Sequence, residues 1–251
     1  MVEHAIPLPT LIAHRGYAAR YPENTLPALE AALRAGARYV EIDIQLSADH
    51  QPFLFHDETL LRTTGQPGLI TELDSHAIAR LDAREPARLG DRFRDIAVPS
   101  LADFVTLMNQ WPQCRALVEI KEESLQRFGI ELTTDTVLQQ LASLGDQAIV
   151  ISYDEACLRH ARQRTGCAIG WVLRNYDQHH RNAAERLQPE WLICNHAKTG
   201  TGQLWPGRWH WALYEVIDPI LALQLAKRGA TLIETMAIGE LLPRLASDGG
   251  R

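Results

Sequence analysis

A single rhythm limits what this chain can fold into: short apolar runs alternate with stretches of helical periodicity along most of its length. Runs at 10–14, 39–46, 52–56, 116–121, 148–152, 168–173, 191–195, 209–216 and 231–234 read as short strands. Segments at 25–36, 101–111, 131–144, 154–164 and 217–228 read as helices. Thr25 caps the first of these with Pro27 in its first turn, and Gly36, Gly145 and Gly229 close three of them. Alternation of this kind builds a parallel sheet covered by helices. The length of 251 residues suits one α/β barrel, so a single domain over 1–251 is expected. Nine candidate strands compete for eight barrel places, and one short run must be absorbed into a loop. The interval 57–99 lacks a clean strand–helix pattern and shows one short helix near 75–81. It reads as a loop insertion, which in barrels often covers the site.

Composition narrows the partners. The formal net charge of −6 argues against nucleic acid and against an anionic membrane surface. It leaves room for a small anionic substrate held in a locally basic pocket. No apolar run approaches the roughly 20 residues of a membrane span, so no stable membrane association is expected. The four cysteines, Cys114, Cys157, Cys167 and Cys194, form no C-x-x-C pair, which suits reduced, buried thiols. The opening MVEHAIPLPT has neither the basic start nor the apolar core of a secretory signal, and the expected location is cytoplasmic. Trp171, Trp191, Trp205, Trp209 and Trp211 crowd the C-terminal third. They read as core and rim packing and leave monomer and homodimer both open.

Five patches carry chemistry: HRG at 14–16, PENT at 22–25, E-I-D at 41–43, HD at 56–57 and E-I-K at 119–121. Four of them fall at the C-terminal ends of four different expected strands, the face on which a parallel barrel builds its active site. Glu41 and Asp43 are two residues apart on one strand and point to the same face; Glu119 and Lys121 do likewise. Outward-facing pairs are the bland alternative, but two acidic pairs with two strand-end histidines argue against it. Three carboxylates converging on one pocket repel each other and ionise poorly alone. A divalent cation resolves that conflict, and all-oxygen donors favour Mg²⁺ or Ca²⁺ over zinc; Lys121 could instead neutralise part of the cluster. His14 and His56 titrate near neutrality and suit a general acid–base pair. Arg15 offers a forked donor for phosphate oxygens. His4, His50, His76 and His160 read as structural, and His179 and His180 as surface residues.

The runs AHRGYAARYPENT, VEIDIQLSADHQPFLFHDETLLRTT and VEIK, with ISYD at 151–154 and NHAK at 195–198, are similar to the glycerophosphodiester phosphodiesterases, in particular the cytosolic bacterial type. The resemblance implies a TIM barrel with a small insertion after the third strand. It implies hydrolysis of small-molecule glycerophosphodiesters to sn-glycerol 3-phosphate and an alcohol. Glu41, Asp43 and Glu119 would be metal ligands, His14 and His56 the acid–base pair, and Arg15 and Lys121 the phosphate contacts. Glu23 would help orient the site, and Asn24 would support the loop around His14. Two departures stand out. The family's W/Y-T-V-N run is replaced by Tyr214-Glu215-Val216-Ile217, and its I-T-D run by Glu234-Thr235-Met236. They are expected to strip two polar groups from that side of the mouth and to alter substrate choice; Glu215 and Glu234 could compensate or be structural. The alternatives are a lysophospholipase D-like enzyme on the same barrel, and a non-catalytic glycerophosphodiester-binding protein.

Overall fold

In a computed structural model of the chain, residues 8–248 are described, and His4 lies outside them. Nine strands follow in order: β1 (Thr10–His14), β2 (Tyr39–Leu46), β3 (Pro52–Leu54), β4 (Arg115–Ile120), β5 (Ala148–Ser152), β6 (Ile169–Val172), β7 (Trp191–Asn195), β8 (His210–Tyr214) and β9 (Ala230–Thr235). Eight of them close a parallel barrel: β1 pairs with β2 on one side and β9 on the other, and β2 continues to β4 and on round to β9. Helices cover the outside, as in a TIM barrel.

The surplus strand is β3. It folds back antiparallel on the end of β2, Ile44 opposite Leu54, outside the ring. The turn at 47–51 reverses the chain: Ser47 Oγ donates to Asp49 and accepts from the Gln51 N–H at 2.8 Å. A run this short, returning after so tight a turn, cannot reach a barrel position. His56 therefore lies two residues past the end of β3, in a loop, and not at the end of a barrel strand. The other strand-end patches stand where the alternation puts them.

Alternation also divides the core. Val40, Ile42, Ile44 and Leu46 of β2 face the helices, in one cluster with Leu29, Leu33, Phe104 and Met108. Ile12, Leu117, Ile149, Ile151, Val172, Ile193 and Leu232 fill the barrel interior. Each such side chain contributes roughly 1.5–3 kcal/mol when fully buried. Gly170 belongs to this inner packing: an added Cβ would come within 2.8 Å of Ile151 and Ile193. The apolar floor ends one layer below the mouth, and the inward positions above it are polar.

Three helices escape the sequence pattern: Glu122–Phe128, Gln178–Leu187 and Ile238–Asp248. Gln178–Leu187 buries only Ala183, Ala184 and Leu187, too thin a stripe to stand out among its charges. His180, read as a surface residue, is half-buried and stacks on Trp171. The 57–99 segment holds four short helical pieces, Leu61–Thr64, Ile70–Glu72, Ser75–Ile78 and Pro86–Leu89, where one was expected. Its Leu60, Ile70, Ile78, Ala83 and Val98 form an apolar cluster with Phe53 and Phe55 just before it. Among the described residues no helix is long and apolar enough to cross a membrane.

Candidate active site

The site is built where β1, β2, β4 and β9 end. The β1–β2 register sets His14 opposite Glu41, and the β2–β4 register sets Asp43 opposite Glu119. Glu234 of β9 faces the same space, with its Oε1 3.4 Å from His14 Nε2; Glu41 Oε2 lies 3.8 Å from that nitrogen. A cavity of about 240 Å³ opens above, lined by both histidines, Arg15, Glu119, Lys121 and Glu234. Tyr153, Asn195, Tyr214 and Glu215 form its far wall.

The HRG and PENT patches form one folded unit. Gly16 has φ 82°, and an added Cβ would come within 2.6 Å of the Ala28 backbone, so only glycine lets the chain turn beneath the first helix. Arg15 and Asn24 are held left-handed at φ 55° and 53°. Such backbone costs about 1–3 kcal/mol and persists where surroundings over-determine it. Here they do. The Asn24 N–H donates to the Arg15 carbonyl, and its side-chain amide bonds Asp43 in both directions, Nδ2 to Oδ2 at 2.9 Å and the Asp43 N–H to Oδ1 at 3.2 Å. The Arg15 N–H donates to Glu41 Oε2 at 3.1 Å.

An alternating chain of charges then runs to the second histidine. Arg15 Nη1 donates to Glu23, and its Nε lies 3.1 Å from Asp43 Oδ2, too poorly aligned for a hydrogen bond. Arg62 bridges Glu23 and Asp57 with two donors to each. Asp57 meets His56 Nδ1 at 2.6 Å. The insertion is locked in from the other side: Glu85, 2% exposed, accepts the Glu23 N–H at 2.6 Å, while Arg88 donates to Glu85 and to the Ala18 and Tyr21 carbonyls.

Electrostatics follow from crowding. Four buried carboxyls, Glu41, Asp43, Glu119 and Glu234, meet two cations, Arg15 and Lys121. Burial would raise Asp43, but Arg15 and Lys121 overcome it and hold that carboxyl well below its usual range. Lys121 donates to Glu119 at 3.0 Å and lies 3.5 Å from Asp43. That leaves too little positive charge for the rest. Burial, then Asp43 and Glu234, push Glu41 up; burial and Asp43 push Glu119 up despite Lys121; burial and Glu119 push Glu234 up to about 8. Burial and the neighbouring Arg15 push His14 down to about 3, so its imidazole is neutral.

Donor atoms of Glu41, Asp43 and Glu119 all lie within 4.8 Å of one another, and so do those of His14, Glu41 and Glu234. The first set offers only oxygens and excess negative charge, which fits a hard divalent cation. Of the residues anticipated from the sequence, His14, Arg15, His56, Glu119 and Lys121 line the cavity, Glu41 and Asp43 stand beside Glu119, and Glu23 and Asn24 lie behind them, bonded to Arg15 and Asp43. On the far side, of the two readings left open, the polar groups are made up by the acids: Glu234, 3% exposed, brings a carboxyl into the centre, and Glu215 accepts from Asn195 Nδ2 at 2.6 Å on the rim. The sequence signal for Glu234 was a lone acid in an otherwise apolar final strand. His160 pairs with Asp135 on outer helices and belongs to no site.

A model of the glycerophosphoryl diester phosphodiesterase family matches residues 14–230. A glycerophosphodiester phosphodiesterase of Bacillus altitudinis is 30% identical over 148 residues, 59% of each chain. One from Caldanaerobacter subterraneus subsp. tengcongensis is 29% identical over 153 residues, 61% of each. These matches span about three fifths of the curated relatives' own length. Among solved structures, an Oleispira antarctica phosphodiesterase in complex with the product sn-glycerol-3-phosphate superposes with a TM-score of 0.83 at 24% identity, covering 95% of this chain and 97% of that one. A glycerophosphodiester phosphodiesterase from Agrobacterium tumefaciens gives 0.74 at 20% identity, covering 94% and 100%. At these identities the structural likeness speaks for the fold.

Proposed function

This chain belongs to the glycerophosphoryl diester phosphodiesterase family, and from that premise we propose that it hydrolyses glycerophosphodiesters to sn-glycerol 3-phosphate and a free alcohol, with Glu41, Asp43 and Glu119 holding a divalent cation. The observation that carries the reading is the placement of His14, His56, Arg15, Lys121 and Glu119 around one cavity, with Glu41 and Asp43 within 4.8 Å of Glu119. The clustered carboxyls lack enough cationic partners, so Mg²⁺ or Ca²⁺ fits the donor set. When bound, the cation supplies positive charge for the phosphoryl oxygens.

The chain's own residues do the rest. Arg15 and Lys121 line the cavity and take the phosphate. His14 is neutral and free to accept a proton; it takes one from the glycerol hydroxyl next to the phosphate. That oxygen bonds to phosphorus, the bond to the alcohol breaks, and His56 protonates the departing oxygen. Intramolecular attack gains from proximity. Water then opens the cyclic phosphate with the histidine roles exchanged. Glu23 and Asn24 hold Arg15 and Asp43 in register. The four cysteines are unpaired, in keeping with a reducing cytoplasm. We place the activity in a single domain whose 57–99 insertion orients His56.

A coupled assay for released glycerol 3-phosphate tests this. Glycerophosphocholine and glycerophosphoethanolamine should turn over with Mg²⁺ or Ca²⁺ and stop after chelation. Full activity in chelator removes the cation from the reading. Turnover of lysophosphatidylcholine in preference to the soluble diesters replaces the substrate class, and binding without turnover replaces the enzyme by a sensor.

A further inference from the structure

Glu234 is an almost fully buried acid whose carboxyl borders the cavity and lies against His14. It is 3% exposed and lines the cavity, and among the described residues no donor reaches its carboxyl in hydrogen-bonding geometry. In so dry a wall a carboxyl interacts strongly with whatever lies beside it, so its neighbours indicate what it is for. The neighbour is His14, whose Nε2 lies 3.4 Å from Glu234 Oε1. Glu41 stands near the same nitrogen, but its Oε2 already accepts the Arg15 N–H, and it belongs to the cation set. The other ring nitrogen, Nδ1, has no protein hydrogen bond among the described residues.

We propose that Glu234 is the positioning residue of His14: its carboxylate accepts the Nε2–H and leaves the Nδ1 lone pair facing substrate. The inference rests on the reading that His14 exchanges a proton during phosphodiester cleavage, with a cation on Glu41, Asp43 and Glu119 offsetting the burial and the Glu119 charge that otherwise keep Glu234 protonated. A carboxylate behind an imidazole fixes the tautomer and steadies the imidazolium that forms. When the glycerol O–H gives its proton to Nδ1, the Nε2 proton stays in place and the new positive charge lies against Glu234. The oxygen's electron pair goes to phosphorus, and the alcohol leaves with the His56 proton. His56 carries the same device, with Asp57 at 2.6 Å from its Nδ1. The gap of 3.4 Å is long for a hydrogen bond, as is common before substrate closes a site.

The test compares wild type with Glu234→Gln and Glu234→Asp. Glu234→Gln keeps the volume and loses the charge. It should lower kcat roughly 100- to 10,000-fold, the range for a lost orienting carboxylate, with KM for glycerophosphocholine and the number of bound cations unchanged. Glu234→Asp should restore part of the loss. Nitrogen-15 NMR of wild type should place the His14 proton on Nε2, and Glu234→Gln should disturb that tautomer alone. Unchanged kcat, a proton on Nδ1 in wild type, or the loss of one bound cation would each overturn the proposal, the last in favour of a ligand role for Glu234. The imidazole spectrum reads the pair whether or not wild type turns over glycerophosphodiesters, so failure of the pairing and failure of the functional reading are separable.

Discussion

The two sides of the barrel mouth are built on opposite economies. On the side of β1, β2 and β4 nearly every polar atom is committed: Asn24 staples Asp43, Arg15 and Arg62 share Glu23, and Asp57 holds His56. On the side of β5, β7, β8 and β9 the contacts are few: a Tyr153–Tyr214 hydroxyl pair at 3.0 Å, the Asn195–Glu215 bond and Glu234 beside His14. A crowded network fixes geometry and tolerates little change, because removing one member strands its buried partner. A sparse wall can vary without dismantling the chemistry. Glu234 apart, which backs His14 across the β9–β1 seam, the first side should therefore carry rate and the second should carry selectivity.

The hardest blow to that contrast comes from the histidines. His14→Ala or His56→Ala should lower kcat about 100-fold or more in the glycerol 3-phosphate assay, the scale of a lost acid–base catalyst. A variant that keeps full kcat would move the proton chemistry off the committed side. Gly16→Ala comes next and acts on stability. Its Cβ would strike the Ala28 backbone at 2.6 Å with φ at 82°. The strain should exceed the roughly 1–3 kcal/mol of a left-handed backbone alone, read as a lower urea midpoint. An unchanged midpoint would show that the HRG turn is softer than its contacts imply. Arg62→Ala should then cost about tenfold in kcat by freeing Asp57 and His56 while leaving cation affinity intact, an effect of the order of one charge-assisted hydrogen bond.

This asymmetry also explains what could be read in advance. The committed side is written in contiguous motifs, HRG, PENT and E-I-D, because backbone turns and strand periodicity place neighbouring residues in one site. Glu41 and Asp43 announced their shared face by spacing alone. His56 was found by its type but misplaced on a barrel strand, since a three-residue antiparallel return looks like any short apolar run. Arg62 and Glu85 carry no local signal, and Glu234 stands out only as a departure from the family's I-T-D run. Arg62 and Glu85 lie 39 and 62 residues from Glu23, which they hold, and Glu234 reaches His14 only by closure of the ring between β9 and β1.

Acid–base balance sharpens the comparison further. Glu234 is raised to about 8 in the folded chain against an ordinary 4.5. A raised carboxyl stabilises the fold fully below its unfolded value and loses that contribution as pH rises through the folded one. Cation-free wild type should therefore lose stability between about pH 4.5 and 8 relative to Glu234→Gln, which has no such group. Urea midpoints of both proteins in chelator across that window measure the difference. Parallel curves would mean that Glu234 is as ionised in the fold as outside it. Asp43 has the opposite sign: its lowered value stabilises the fold above the ordinary carboxylate range and gives way only in strong acid.

The mildest change should be Tyr214→Phe, and that mildness is the point. Its hydroxyl faces only the Tyr153 hydroxyl, a neutral pair on the half-buried far wall. Such a bond is worth about 0.5–1.5 kcal/mol at most, and water can replace it here. The ring, which packs near His14 at 6.4 Å between centroids, is retained. The variant should hold kcat within about threefold, the effect of less than 1 kcal/mol, while the ratio of KM values for two diesters with different alcohols shifts. If kcat falls as far as in the histidine variants, the hydroxyl pair belongs to the proton path, and the far wall shares in catalysis.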